Sequence, residues 1–305
     1  MNAAGESMAG KVCVITGATG DMGRVISTDL ARRGATVLLV CRDRETGETL
    51  RRAITNATGN PQVHVLTAEL SDQTSIRQLA DRFHQRHTSL HVLVNNAGAH
   101  LPRRCLSADG VEMHLAVNHL SWFLLTNLLL DSLIAGAPAR VINVASQAIS
   151  DTRQIKLRNR PRPVTLNLDD LQAEHDFKPM HAYARAKLAM VMCGYHLARQ
   201  LDGTGVTVNA LHPGLVATGM VTDMAPAVIK PFLGIVRAFL LTPEQGARTA
   251  IHLATSRQVE GVTGKYYIDN AEHASPGISY DTALQERLWQ ASAQLVGLPE
   301  YPHQP

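Results

Sequence analysis

The chain has 305 residues, 45% apolar, 18% charged and only 4% aromatic, with a formal net charge of +3. So much apolar material supports a sizeable core and excludes a disordered chain, and so small a charge gives no footprint for a nucleic-acid partner. The richest apolar run, Trp122 to Leu130, is interrupted by Thr126 and Asn127; it falls far short of the roughly 20 residues a bilayer span requires, so no membrane span is expected.

In chain order, Val12-Cys13-Val14-Ile15 is a short apolar run that ends in Thr16-Gly17, and Arg24 to Arg33 reads as a helix stopped by Gly34. Val37 to Val40 is a second run, followed by a polar helical stretch from about Glu45 to Ala57. Val63 to Leu66 and Val92 to Val94 are two more, with helix-patterned Asp72 to Arg86 between them. Val141 to Val144 and Val206 to Asn209 extend the series, each preceded by a long helical segment. Short continuous apolar strands alternating with helices predict a parallel sheet covered on both faces.

No composition shift, repeat or low-complexity linker divides the chain. Residues 1–305 therefore read as one α/β domain, a doubly wound parallel sheet of the Rossmann type. Two segments break the rhythm. One, about 151–180, is basic at first (Arg153, Lys156, Arg158, Arg160, Arg162) and then acidic; the basic run reads as a solvated loop. The other, about 215–241, carries Pro226, Pro231 and the apolar stretch Phe232 to Leu241. Both read as insertions at the C-terminal edge of the sheet, where such folds place their ligands.

Four scattered cysteines (Cys13, Cys41, Cys105, Cys193) without a CxxC pair fit a reducing, cytoplasmic setting better than a disulfide scaffold or zinc site. The opening MNAAGESMAGK does not read as an export signal. Histidine is the oddest count, at 14. His84, His87 and His91 have helix-like spacings, but no acidic or cysteine ligand supports them, so they read as surface residues and no metal is expected.

Chemistry enters at Thr16-Gly17-Ala18-Thr19-Gly20-Asp21-Met22-Gly23. Glycines between a strand and a helix let the backbone turn tightly and approach a pyrophosphate seated on the helix N-terminus. The end of the second strand then discriminates between cofactors. An acidic residue there would accept from a ribose 2′-hydroxyl, whereas Cys41-Arg42 offers a cation suited to a 2′-phosphate, so NADP(H) is favoured over NAD(H).

Further motifs stand in a fixed order. Asn95-Asn96-Ala97-Gly98 follows the fourth strand, Ser146 ends the fifth in Asn-Val-Ala-Ser, Tyr183-Ala-Arg-Ala-Lys187 is a YxxxK, and His212-Pro213-Gly214 follows the sixth. With the glycine turn, these resemble the short-chain dehydrogenase/reductase family over nearly the whole chain. Val117-Asn118-His119-Leu120, Phe123 to Asn127, Asn167 to Leu171 and Glu260 to Tyr266 resemble its retinol dehydrogenase and WW-domain oxidoreductase branch. The expected lack of a membrane anchor sets the chain apart from the membrane-bound retinoid enzymes.

The resemblance implies a catalytic set of Asn118, Ser146, Tyr183 and Lys187. Tyr183 exchanges a proton with the substrate oxygen. Ser146 donates to that oxygen, and Asn118 anchors a water feeding protons to the lysine. Lys187, one helical turn on, holds the nicotinamide ribose, and its ammonium is expected to lower the tyrosine pKa. Cofactor contacts fall on Gly17, Thr19, Gly20, Asp21, Met22, Gly23, Arg42, Glu69, Leu70, Asn96, Gly98, Pro213, Gly214 and Val216, besides Tyr183 and Lys187. His212 serves the backbone turn. The helices from about Glu112 to Ala135 and from Tyr183 to Gln200 are the pair through which members form homodimers or homotetramers. The apolar stretch after Gly214 falls where the family carries a substrate lid.

Three positions depart from the family pattern. Asp21 stands where a glycine is usual, and its carboxylate must point outward or carry a counter-charge. Glu69 replaces the usual aspartate. Ser146 and Tyr183 are 37 residues apart, which implies an extra loop near the site. The expected activity is NADP(H)-dependent hydride transfer to a ketone or aldehyde of a bulky apolar substrate, such as a polyketide, steroid-like or other natural product. The alternatives are the same fold reducing a C=N or C=C bond, or a non-catalytic NADP(H)-binding regulator.

Overall fold

A computed structural model describes residues 6–152, 164–217 and 240–299. Eight strands form one sheet in the order β3-β2-β1-β4-β5-β6-β7-β8. They are β1 (Val12–Thr16), β2 (Thr36–Cys41), β3 (Val63–Thr67), β4 (Val92–Asn95), β5 (Ala139–Val144), β6 (Val206–His212), β7 (Tyr266–Ile268) and β8 (Ala271–His273). All neighbours pair in parallel except β8, which runs antiparallel to β7.

The unbroken apolar runs follow from burial on both faces. Along β1, Cys13 and Ile15 enter one core and Val14 the other. Val37 and Leu39 alternate with Leu38 and Val40 along β2 in the same way. One face is covered by α1 (Asp21–Arg32) and α2 (Arg44–Thr58), joined by a helix at Pro243–Thr255. The other is covered by α3 (Gln73–His84) and the helices that follow β4 and β5. Asp43 and Asp72 cap α2 and α3, so the chain stops being strand and starts being helix at defined residues.

The single helix expected from about Glu112 to Ala135 is broken. It consists of α4 (Met113–Leu115), a π turn at Ala116–Leu120, α5 (Ser121–Leu128) and α6 (Leu130–Ala135). The π turn widens the backbone at Asn118, a distortion commonly found at functional sites. Then α7 (Pro179–Gln200) carries the YxxxK residues, and its proline sits in the first turn, where a missing N–H costs nothing. The helix after the second insertion, Pro243–Thr255, is α8, with Thr242 and Gln245 forming a capping box.

The last helix among the described residues, α9 (Thr282–Leu295), lies against the expected assembly surface. It packs along α7, and Trp289 is wedged between Phe123 of α5 (ring centroids 4.5 Å) and His196 of α7 (4.9 Å). Ser292 also bonds His119 across 2.7 Å. Every residue from Ser121 to Thr126 is buried within this one chain. Part of the α5–α7 pair that is expected to meet a second subunit is thus occupied by the chain's own α9.

All four cysteines are free thiols. Among the described residues no helix is long and apolar enough to cross a membrane, and no three metal-ligating side chains gather.

Candidate active site

The sheet changes direction between β1 and β4, which are neighbours although the chain winds outward from them in opposite senses. A crevice opens beyond the C-terminal ends of strands at such a point. Two loops line it, and Thr16 stitches them together. Its hydroxyl donates to Val94 O (3.3 Å) and accepts from the N–H groups of Asn96 (3.0 Å) and Ala97 (3.1 Å). The Asn96 carboxamide returns the contact, donating to Thr16 O and Gly17 O at 3.0 and 3.1 Å.

Glycine is obligatory at two places in this turn. Gly17 has φ +62°, and a Cβ there would lie 2.9 Å from Ala97 Cα. A Cβ on Gly23 would overlap the carbonyl oxygen of Gly17. Gly20, the residue preceding α1, is exposed and supplies no side-chain cap, so the helix start offers bare backbone N–H groups, the geometry that receives a phosphate. Asp21 is exposed in the first turn, as its charge required, whereas Met22 points into the core. Thr19 lies half-buried between them.

Ala18 N–H donates to Val40 O, which brings the end of β2 beside the glycine turn. Arg42 is exposed just past that end. Glu69, also exposed, turns its carboxylate onto Ser71, accepting from the backbone N–H (3.0 Å) and the hydroxyl (2.9 Å). Leu70 is buried in the core. These residues form an open, cation-bearing cradle that fits a dinucleotide phosphate.

On the far side of the crevice, Lys187 donates to Val144 O at 2.8 Å and so ties α7 to the end of β5. Tyr183 lies one turn earlier on α7. Ser146 caps the short 3-10 turn Gln147–Ile149, accepting from Ala148 N–H at 3.2 Å, and hydrogen-bonds Tyr183. Asn118 clamps the Ala99 peptide that follows Gly98. Tyr183, Lys187 and Asn118 are all buried.

Burial governs the electrostatics here. It pushes the Lys187 ammonium down to about 7. It raises the Tyr183 phenol, and the Ser146 hydrogen bond opposes this only in part. The expected lowering by Lys187 is therefore reversed: desolvation favours the neutral phenol and also removes much of the charge that was to stabilise a phenolate.

Two histidines supply a wall of the site. His100 and His114 have ring centroids 5.8 and 6.4 Å from that of Tyr183. His114 is fully buried; its Nδ1 donates to Glu112 (2.7 Å) and its Nε2 accepts from Leu101 N–H (3.0 Å). Burial alone would raise the Glu112 carboxyl, but the hydrogen bonds from His114 outweigh it and hold it below the usual range. Glu112-x-His114, a cap residue and the second residue of α4, is the sequence signal for this pair.

Two residues of the segment expected to form an extra loop lie against this wall. Gln172 Oε1 accepts from Glu112 N–H at 3.1 Å, and Phe177 lies 5.9 Å from the His114 ring. Its basic run, 153–162, lies outside the described residues. After β6, Pro213 and Gly214 lead to Val216, which bridges to Leu241. The two ends of the second insertion are thus tied together, and the stretch between them where a lid is expected, 218–239, lies outside the described residues.

A family model described as short chain dehydrogenase matches residues 11–155, and a second, described as Enoyl-(Acyl carrier protein) reductase, matches residues 153–270. Human retinol dehydrogenase 11 is 38% identical over 95% of this chain and 87% of its own. The chain belongs to the short-chain dehydrogenase/reductase family. Zebrafish (Danio rerio) polyprenol dehydrogenase is 37% identical with the same two coverages. Among solved structures, an uncharacterised Mycobacterium paratuberculosis protein covers 98% of both chains at 29% identity and a TM-score of 0.77. The NADP complex of Pseudomonas aeruginosa RhlG matches 85% of this chain and 94% of its own, at 26% identity and a TM-score of 0.66. Membership makes this protein an oxidoreductase of a family that binds nicotinamide cofactors.

Proposed function

We propose that this family member transfers a hydride between NADP(H) and the carbonyl or alcohol carbon of a bulky apolar molecule. The observation that carries the reading is the meeting of Tyr183, Ser146 and Lys187 at the C-terminal end of β5, across the crevice from the glycine cradle. Gly17, Gly20 and Gly23 would admit the pyrophosphate, Arg42 the 2′-phosphate and Lys187 the nicotinamide ribose. A nicotinamide bound there supplies or accepts the hydride.

Tyr183 and Ser146 bind the substrate oxygen together. Their two hydroxyls are hydrogen-bond neighbours, so one substrate oxygen could accept from both, which would polarise a carbonyl and fix its orientation. With its pKa raised by burial, Tyr183 is protonated at neutral pH and suited to hand its proton to that oxygen, which favours the reduction direction. In the opposite direction Tyr183 must first lose its proton. Asn118 acts one step removed, by holding Ala99 in the wall of the site.

The relatives' names, retinol dehydrogenase and polyprenol dehydrogenase, specify long apolar alcohols, which agrees with the apolar stretch between residues 215 and 241. The free thiols suit a reducing compartment, and we place the enzyme in the cytoplasm. A second reading, reduction of a conjugated C=C bond, is prompted by the enoyl reductase model that matches residues 153–270. The hydroxyl pair favours the carbonyl, because it polarises an oxygen directly.

Incubation with NADPH and a panel of apolar ketones, aldehydes, enones and imines, followed at the nicotinamide absorbance, tests the proposal. Oxidation of NADPH with alcohol formation is expected. Saturation of the enone with its carbonyl intact would favour the second reading, and tight NADPH binding without turnover would leave only a cofactor-binding protein.

A further inference from the structure

His100 stands between two anchored peptides. On one side, Ala99 is held by both ends of the Asn118 carboxamide. On the other, the Leu101 N–H donates to Nε2 of His114, itself fixed by Glu112. A loop residue whose neighbours are both pinned has a fixed backbone, which restricts where its side chain can go.

The side chain lies beside the reacting groups. The His100 ring lies 5.8 Å from Tyr183 and 5.4 Å from His114, centroid to centroid, with its plane 72° and 63° from theirs. Its Nε2 is shielded from solvent and has no hydrogen-bond partner among the described residues. Buried polar nitrogens are nearly always paired, and one left without a protein partner beside a reaction centre marks a place for a ligand atom. The His114 ring is already fully bonded and cannot serve in its place.

We infer that His100 Nε2 is a polar subsite of the substrate pocket, donating a hydrogen bond to a second oxygen carried one or two carbons from the carbonyl that Tyr183 and Ser146 hold. The inference rests on the oxidoreductase reading and sharpens its substrate class. The preferred molecules are apolar skeletons with neighbouring oxygens, such as 1,2- and 1,3-diketones or hydroxyketones, rather than isolated ketones. Among the described residues no acceptor fixes the tautomer at Nε2, so the ring can present an N–H there.

The test is a kinetic cycle with NADPH and matched substrate pairs, benzil against deoxybenzoin and an aliphatic 2,3-diketone against the 2-ketone of equal length. Each pair is measured on the wild type, His100→Phe and His100→Gln. Intrinsic reactivity differs within a pair but cancels between proteins. His100→Phe keeps a ring of similar width, and should cut the diketone-to-ketone ratio of kcat/KM about tenfold, the worth of one neutral hydrogen bond. The loss should appear mainly in KM, with His100→Gln recovering part of it. An equal fall on both members of a pair in a folded variant would show His100 to be structural and overturn the inference, as would an unchanged ratio. A wild type that turns over simple ketones but neither diketone would overturn it too, with the oxidoreductase reading intact. Failure on every carbonyl would remove that reading and this one together.

Discussion

The Asn118 carboxamide grips the Ala99 peptide from both sides: Oδ1 accepts from its N–H at 3.0 Å and Nδ2 donates to its C=O at 2.8 Å. The same Nδ2 also reaches His114 O at 3.1 Å, a carbonyl that the π turn leaves accessible. Asn118→Asp removes the donor and sets a carboxylate against two carbonyl oxygens. We expect a loss of about 1–3 kcal/mol in stability and a fall of at least about tenfold in kcat. Chemical denaturation and steady-state kinetics measure the two. A variant with wild-type values in both would mean that the clamp is dispensable.

Tyr183 carries the proton transfer in the proposed mechanism. Tyr183→Phe removes the phenol while filling the same volume, so NADPH binding should persist and kcat should fall by about 10²–10⁴. Because burial raises the phenol above its usual value, ketone reduction should hold through neutral pH and decline only in the alkaline range. Alcohol oxidation should climb over that same range. Turnover that survives Tyr183→Phe would refute the role of the phenol.

Lys187 should cost the fold stability. Its folded pKa of about 7 lies below the ordinary lysine value of 10.5, so between these values the unfolded chain binds more protons than the folded one. Stability then rises with pH across that window, and the penalty is fully present below about pH 7. Lys187→Met should stabilise the protein at pH 7 by on the order of a few kcal/mol and flatten the pH dependence, while abolishing activity. Melting temperatures measured from pH 6 to pH 10 would show both; a destabilised variant with an unchanged pH slope would contradict the prediction.

In the proposed reading, Arg42 selects the cofactor. Arg42→Asp replaces a cation suited to a 2′-phosphate by an acceptor suited to a 2′-hydroxyl. The ratio of kcat/KM for NADPH over NADH should drop at least about tenfold. Equal use of both cofactors by the wild type would already count against this assignment.

Trp289 covers part of the α5–α7 face. Trp289→Ala leaves a cavity between Phe123 and His196, at a cost of about 3–5 kcal/mol. It also loosens α9, so light scattering should show more self-association than in the wild type. A variant unchanged in both melting and mass would show that α9 is not the cover.

Much of the fold was legible in the chain. Each strand expected from an apolar run is present within a few residues, because burial on both faces leaves an unbroken hydrophobic signature. The glycine turn was legible for a steric reason at Gly17 and Gly23. The break at Ala116–Leu120 was not, since a π turn has no composition of its own. Helix α9 carries a signal too, Asp281 as a cap and Leu284, Leu288 and Trp289 at helical spacing, but its packing partner on α7 is distant in the chain.

The sequence by itself determined the strand series, the glycine turn and the placing of Tyr183 and Lys187 on one helix face. Each depends on backbone sterics or periodicity among near neighbours. Tertiary structure alone decided that His100 and His114 flank Tyr183, that α9 covers part of the expected assembly face, and that the phenol pKa moves up. Those outcomes depend on which distant segments exclude water from a group. Desolvation is a property of the packed molecule, and no spacing along the chain encodes it.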